Sequence, residues 1–187
     1  MHKCNKPCSI CPYVKVQKIV KSTSNDKVVH LHKHHSCEDK NICYIIECKK
    51  CNLQYIGETD RTLKDRFLEH RGYVRREEED KATGHHFSLS GHSVADMSVS
   101  VIERIRSSDP FYRKVRESHR IEQFESLRKG INRKRWQFAN CKACKKNLIL
   151  VCLCQTQKNS ICYDKLLSED AFVKKVKIFK VLESFKF

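Results

Sequence analysis

Apolar residues fall into strand-length runs and helix-spaced stripes only in the middle of the chain. "ICYIIE" (42–47) and "LQYIG" (53–57) are β-branched or aromatic runs, and Gly57 closes the second. "TLKDRFLEHRGYVRREEED" follows, with Leu63, Phe67 and Val74 near helical spacing. Thr62 and Asp65 stand at the spacing of a capping box, which marks the helix start. "MSVSV" (97–101) alternates apolar with polar and predicts a half-buried strand. A second helix is predicted over about 111–129, with Val115, Ile121, Phe124 and Leu127 on its apolar side and Gly130 as its stop. The order β-β-α-β-α predicts an α+β fold, a small mixed or antiparallel sheet with helices packed on it.

The two runs at 42–57 read as a hairpin. With Lys49-Lys50 as a two-residue tip, facing residues have numbers summing to 99, so Tyr44 opposes Tyr55 and Cys48 opposes Cys51. Directly opposed side chains share a face, so both phenols would project together. Lys-Lys is a poor tip, because such turns favour residues that accept positive φ. A metal gripping Cys48 and Cys51 would hold it closed.

Elsewhere the pattern changes. Residues 1–40 form a Cys/His-rich N-terminal extension, 41–135 the patterned domain, and 136–187 a basic, Cys-containing C-terminal tail. Cys4, Cys8, Cys11 and Cys37 read C-x3-C-x2-C-x25-C, and His30, His32, His34 and His35 crowd the last of them. A zinc site is expected among these residues, its members left open. Cys141, Cys144, Cys152, Cys154 and Cys162 begin with C-x-x-C but offer no partner pair, and "NLILVCLC" reads equally as a buried strand. The tail "AFVKKVKIFKVLESFKF" spaces Phe172, Val176 and Phe179 as an element packed on the domain, or as a basic amphipathic helix.

Charge narrows the partners. Thirty-eight Lys+Arg against twenty-two Asp+Glu give a formal +16, which favours polyanions: nucleic acid first, an anionic membrane surface second. No run approaches the ~18 consecutive apolar residues of a membrane span. The opening "MHKCNKPCSI" lacks the apolar core of a signal peptide. Twelve cysteines in short pairs beside histidines then point to metal binding in a reducing compartment.

Arg66 and His70 are four apart on the first predicted helix and share a face. Glu122 lies on the second, in "RIEQFESLRKGIN", and Asn132 follows Gly130. The succession Tyr44, "YIG" at 55–57, Arg66, His70, Glu122, Asn132 resembles the GIY-YIG endonuclease domain, with "ICY" in place of the first motif. The resemblance is nearer the type carried by Penelope-like retroelements, and it covers about 41–132. It implies a zinc-finger-like Cys2His2 set of Cys48, Cys51, His86 and His92, with His85 as the alternative to His86. It further implies one Mg²⁺ (or Mn²⁺) held by Glu122, Arg66 on a phosphate, Tyr44 or Tyr55 positioning or deprotonating the attacking water, His70 assisting proton transfer, and Asn132 orienting the site.

The expected function is a metal-dependent DNA endonuclease that nicks DNA, retroelement-derived, intracellular and nuclear. The alternative is a zinc-containing nucleic-acid-binding protein that has lost nuclease activity. At 187 residues the chain is too short to include a reverse transcriptase, a partner module of such an element, beside this domain.

Overall fold

A computed structural model describes residues 2–4, 7–31 and 35–134. His32, His34, the cysteines from Cys141 onward and the 136–187 tail lie outside the described residues. Among the described residues, five strands and four α-helices follow one another: β1 (Ile19–Lys21), β2 (Val28–His30), β3 (Ile42–Cys48), β4 (Gln54–Thr59), α1 (Leu63–Arg75), α2 (Ala82–Phe87), β5 (Met97–Arg104), α3 (Pro110–Gln123) and α4 (Ser126–Lys129). The α+β class expected from the pattern is what the chain adopts. β1 and β2 form a small antiparallel hairpin that the sequence pattern did not signal, and the main sheet is antiparallel in the order β4-β3-β5.

The central place of β3 explains its nearly unbroken apolar run. Tyr44, Ile46 and Cys48 face α1 with Leu63 and Phe67, while Ile45 faces α3 with Ile121 and Phe124. β5 was expected to be half-buried, yet Met97 through Ile102 are all buried. Its serines are covered by the N-terminal segment: Val14 bridges Val99, Gln17 Nε2 donates to Ser100 Oγ at 3.2 Å, and Ser100 Oγ donates to the Lys15 carbonyl at 2.9 Å. That segment also caps α1. The amides of Leu63 and Lys64 donate to the carbonyls of Asp39 and Cys37 at 3.0 and 2.9 Å, two of the bonds a helix start cannot supply itself. Thr62 Oγ1 accepts from the Asp65 amide at 3.0 Å, as the capping spacing required.

Two expectations need correction. The hairpin has no two-residue tip. Its facing numbers sum to 101, so Tyr44 opposes Gly57 and Tyr55 opposes Ile46. Cys48 faces Leu53 across the turn, and Asn52 takes the positive φ of 62° that neither lysine suits. A shift by two keeps each residue on its face, so the tyrosines remain on one side as diagonal neighbours. The second helix is also not continuous. Glu125 adopts a left-handed φ of 50°, α4 starts afresh, and Leu127 is turned 36 % into solvent instead of joining the apolar side. Among the described residues, no helix is long and apolar enough to cross a membrane.

Candidate active site

Gly57 lets the first phenol lie against β4. A Cβ built there would stand 2.5 Å from Tyr44 Oη and 2.9 Å from the Tyr55 ring, so only glycine admits this approach. The two rings lie 6.4 Å apart between centroids, and His70 on α1 sits edge-on to both, at 5.7 Å from Tyr44 and 5.2 Å from Tyr55. Leu63, Phe67, His70 and Val74 form the buried stripe of α1, which carries the imidazole into the core.

Polar contacts tie these groups together. Arg66 Nε donates to Tyr44 Oη at 2.9 Å, and Arg66 Nη1 donates to Glu69 at 2.8 Å. Glu69 also accepts from Arg61 and from the Tyr73 hydroxyl. Tyr44 Oη and His70 Nε2 lie 2.7 Å apart, and His70 Nδ1 and Thr83 Oγ1 2.8 Å. Burial keeps His70 neutral, reinforced by the Arg66 guanidinium. Burial also drives the Tyr44 phenol well above its ordinary value. Tyr55 is pushed up to about 12 by burial and then by the Glu117 carboxylate, while the Arg66 guanidinium holds it back. Burial works against the Glu69 anion, but hydrogen bonds from Tyr73 and Arg66 outweigh it and hold the carboxyl down at about 2.

A cavity of about 640 Å³ opens beside this cluster, with Tyr55, Arg66, His70, Glu117, Asn132 and Arg133 among its walls. Tyr44 is fully buried behind Tyr55, its phenol reaching the wall only through Arg66 and His70. Asn132 acts as a backbone surrogate: its Oδ1 accepts from the Ile56 amide and its Nδ2 donates to the Ile56 carbonyl, both at 2.8 Å, which fixes β4 next to Tyr55.

Glu122 is not in this wall. Among the described residues the α3 carboxylate that lines the cavity is Glu117. Five residues of helix turn the side chain by roughly 140°. Glu122 accordingly sits 40 % exposed, with Arg128 at 3.5 Å. Glu117 is buried enough for its carboxyl to be raised to about 7, with Lys114 opposing and Glu58 adding to the rise. Its signal was present in the sequence: Glu117 is four residues before Ile121, hence on the helix side already assigned to the core.

Two further clusters converge. The ligand atoms of Cys48, Cys51, His86 and His92 lie within 4.8 Å of one another, with Cys51 Sγ 3.5 Å from His86 Nε2. Both ring nitrogens of His92 are buried without a hydrogen-bond partner among the described residues. A metal accepting one of them would remove that cost, and the N2S2 donor set fits tetrahedral zinc. The four sulfurs of Cys4, Cys8, Cys11 and Cys37 likewise fall within 4.8 Å, and none is in a disulfide. His30 and His35, expected as competitors, are outside that group; His35 Nδ1 is 2.7 Å from Asp39. Burial opposes a Cys8 thiolate, yet the Ile10 amide and the neighbouring thiols and amide outweigh it and hold this thiol down at about 7. Burial pushes the Cys4 and Cys37 thiols the other way, upward.

A phenol, an arginine and a buried carboxylate line one cavity, a set of groups that can serve phosphoester hydrolysis. Residues 40–132 match the GIY-YIG catalytic domain, a nuclease domain whose substrate class is DNA, and the antiparallel sheet and helices agree with that fold. No curated protein and no solved structure matches the chain.

Proposed function

We propose that the protein is a divalent-metal-dependent DNA endonuclease of the GIY-YIG type, cutting one strand at a time, and that it derives from a Penelope-like retroelement. One observation carries the reading: Tyr55, Arg66, His70, Glu117 and Asn132 line a single cavity. The retroelement origin is supported by the thiol pair inside the β3–β4 turn and its convergence with two downstream histidines. We further propose a nuclear location and, as partner, a reverse transcriptase module of the same element.

Glu117 would hold Mg²⁺ or Mn²⁺, since a single buried carboxylate facing a cavity with room for water suits an ion that keeps most of its hydration. When bound, the ion supplies Lewis-acid stabilisation and lowers the pKa of water. Arg66 remains charged and binds a phosphate oxygen, in the orientation imposed by Glu69 and Tyr44. Tyr55 is the phenol at the cavity wall and contacts the attacking water, while Tyr44, behind it, accepts from Arg66 Nε and holds the guanidinium in place. Neutral His70 buttresses both rings. Cys48, Cys51, His86 and His92 would hold a structural zinc that closes the turn, and Cys4, Cys8, Cys11 and Cys37 a second one that organises the N-terminal segment.

Supercoiled plasmid incubated with the purified protein and Mg²⁺ should relax to nicked circles, and Arg66→Ala should not relax it. Cleavage that persists in Arg66→Ala would mark a contaminant. Salt-sensitive plasmid binding with no cleavage by the wild type would instead favour the nucleic-acid-binding alternative.

A further inference from the structure

Arg61 immediately precedes the N-cap of α1, with its amide donating to Thr59 Oγ1 at 3.1 Å and its side chain 53 % exposed. It stands outside the wall of the cavity, and the phosphate chemistry above makes no use of it. Its guanidinium is nevertheless tied to the one that does. Arg61 Nη2 and Arg66 Nη1 donate to the same carboxylate oxygen, Glu69 Oε2, the latter at 2.8 Å. The Tyr73 hydroxyl donates to the other oxygen, Oε1, which leaves the carboxylate little freedom to turn. One carboxylate against two guanidinium groups leaves a positive charge over. Donors are left over too. Of the five N–H groups on each guanidinium, Arg66 spends two, on Tyr44 Oη and Glu69, and Arg61 one, on Glu69, among the described residues. An exposed ion pair of this kind adds little to stability, so the arrangement is better suited to binding than to holding the fold.

We propose that Arg61 is a second phosphate-binding residue, which holds the phosphate next to the one bound by Arg66 on the same DNA strand. That the phosphate on Arg66 is the one cut rests on the nuclease reading above; the two-point grip does not depend on cleavage. Two cations on one carboxylate oxygen stand close enough for successive phosphates of a strand, which follow at about 3.4 Å along the duplex axis. Exposure sets their order. Arg66, 23 % exposed, faces the cavity, while Arg61 stands outside it over the flanking backbone. A guanidinium suits that place because its planar fork meets two phosphate oxygens at once.

Anisotropy of a fluorescent duplex of about 20 base pairs, titrated with the full-length protein over a range of KCl and with no added divalent metal, counts phosphate contacts without cleavage. Arg61→Gln should lower the slope of log K against log salt by about 0.9, the value of one phosphate contact. Arg61→Lys, which keeps the charge, should hold the wild-type slope. Arg75→Gln is the control: Arg75 is exposed on α1, nine residues and so about 180° round the helix from Arg66, and its loss should leave the slope unchanged. In plasmid nicking, Arg61→Gln should raise KM roughly fivefold and leave kcat within about twofold, since the residue binds beside the bond and not at it. An unchanged slope in Arg61→Gln, or a lysine variant that loses it as well, overturns the proposal. So does an equal fall in Arg75→Gln, which would mark diffuse charge, or a loss in kcat in place of KM. A wild type that binds and shows the difference in slope, yet does not nick, would uphold the grip and remove the nuclease reading.

Discussion

Glutamine at position 117 would keep the shape of the glutamate and remove a charge that its surroundings resist. Burial raises the Glu117 carboxyl from the ordinary 4.5 to about 7, Lys114 opposing and Glu58 adding to the effect. A carboxyl moved that far is disfavoured as the anion by on the order of 3 kcal/mol. The folded protein binds this proton more tightly than the unfolded chain does. The group's contribution to stability is therefore complete below the unfolded value of 4.5 and is lost as the pH rises through about 7. Glu117→Gln escapes that loss. Relative to wild type, it should gain about 2 kcal/mol more at about pH 8 than at about pH 5.5. Lys114 gives up a partner at 3.8 Å but keeps Glu58 at 2.6 Å, so little of the gain is returned. Urea unfolding followed by circular dichroism, without added divalent metal, measures it, and equal slopes would show a true stability change. A gain equal at both pH values, or a loss that deepens with pH, would refute the reasoning.

The same titration bears on rate: with Glu117 needed as the anion, nicking should fall as the pH drops through about 7, and a flat profile across that range would contradict it. Gly57→Ala must displace the Tyr44 phenol, at about 1–3 kcal/mol of stability and at least tenfold in nicking, so an unchanged melting temperature would show the approach to be looser than described. Asn132→Ala orphans the amide and carbonyl of Ile56 and should cost about 2–4 kcal/mol in urea unfolding. Two zinc equivalents per chain should be released to a chromogenic chelator, and Cys48→Ser should release one; two from the variant would contradict the assignment of its ligands.

Much of the site was legible because its chemistry is carried by residue types at fixed intervals. Tyr44, Tyr55, Arg66 and His70 come together where strand and helix periods put them, since a two-residue slip of the hairpin leaves both phenols on one face. The exact register was hidden in Asn52, whose positive φ makes a longer turn than the two lysines suggested. Glu117 and Glu122 are both glutamates on one helix, and choosing between them depends on which side packs on β4. The position of Ile121 held that information, but the apparent continuity of the helix through Glu125 blurred it. The place of α2 had no local signal, because this six-residue helix is set by the close seat of Gly84 on the end of α1. The covering of β5 by residues 14–17 is a long-range contact of the same kind, invisible to a period of two.

The most direct test of the central claim compares two carboxylates of α3 in single-turnover plasmid nicking with Mg²⁺. Glu117→Gln should lose at least about a hundredfold in rate, whereas Glu122→Gln, outside the cavity wall, should stay within about threefold of wild type. Full activity in Glu117→Gln, or loss confined to Glu122→Gln, would place the chemistry elsewhere than the cavity of Tyr55, Arg66 and Glu117.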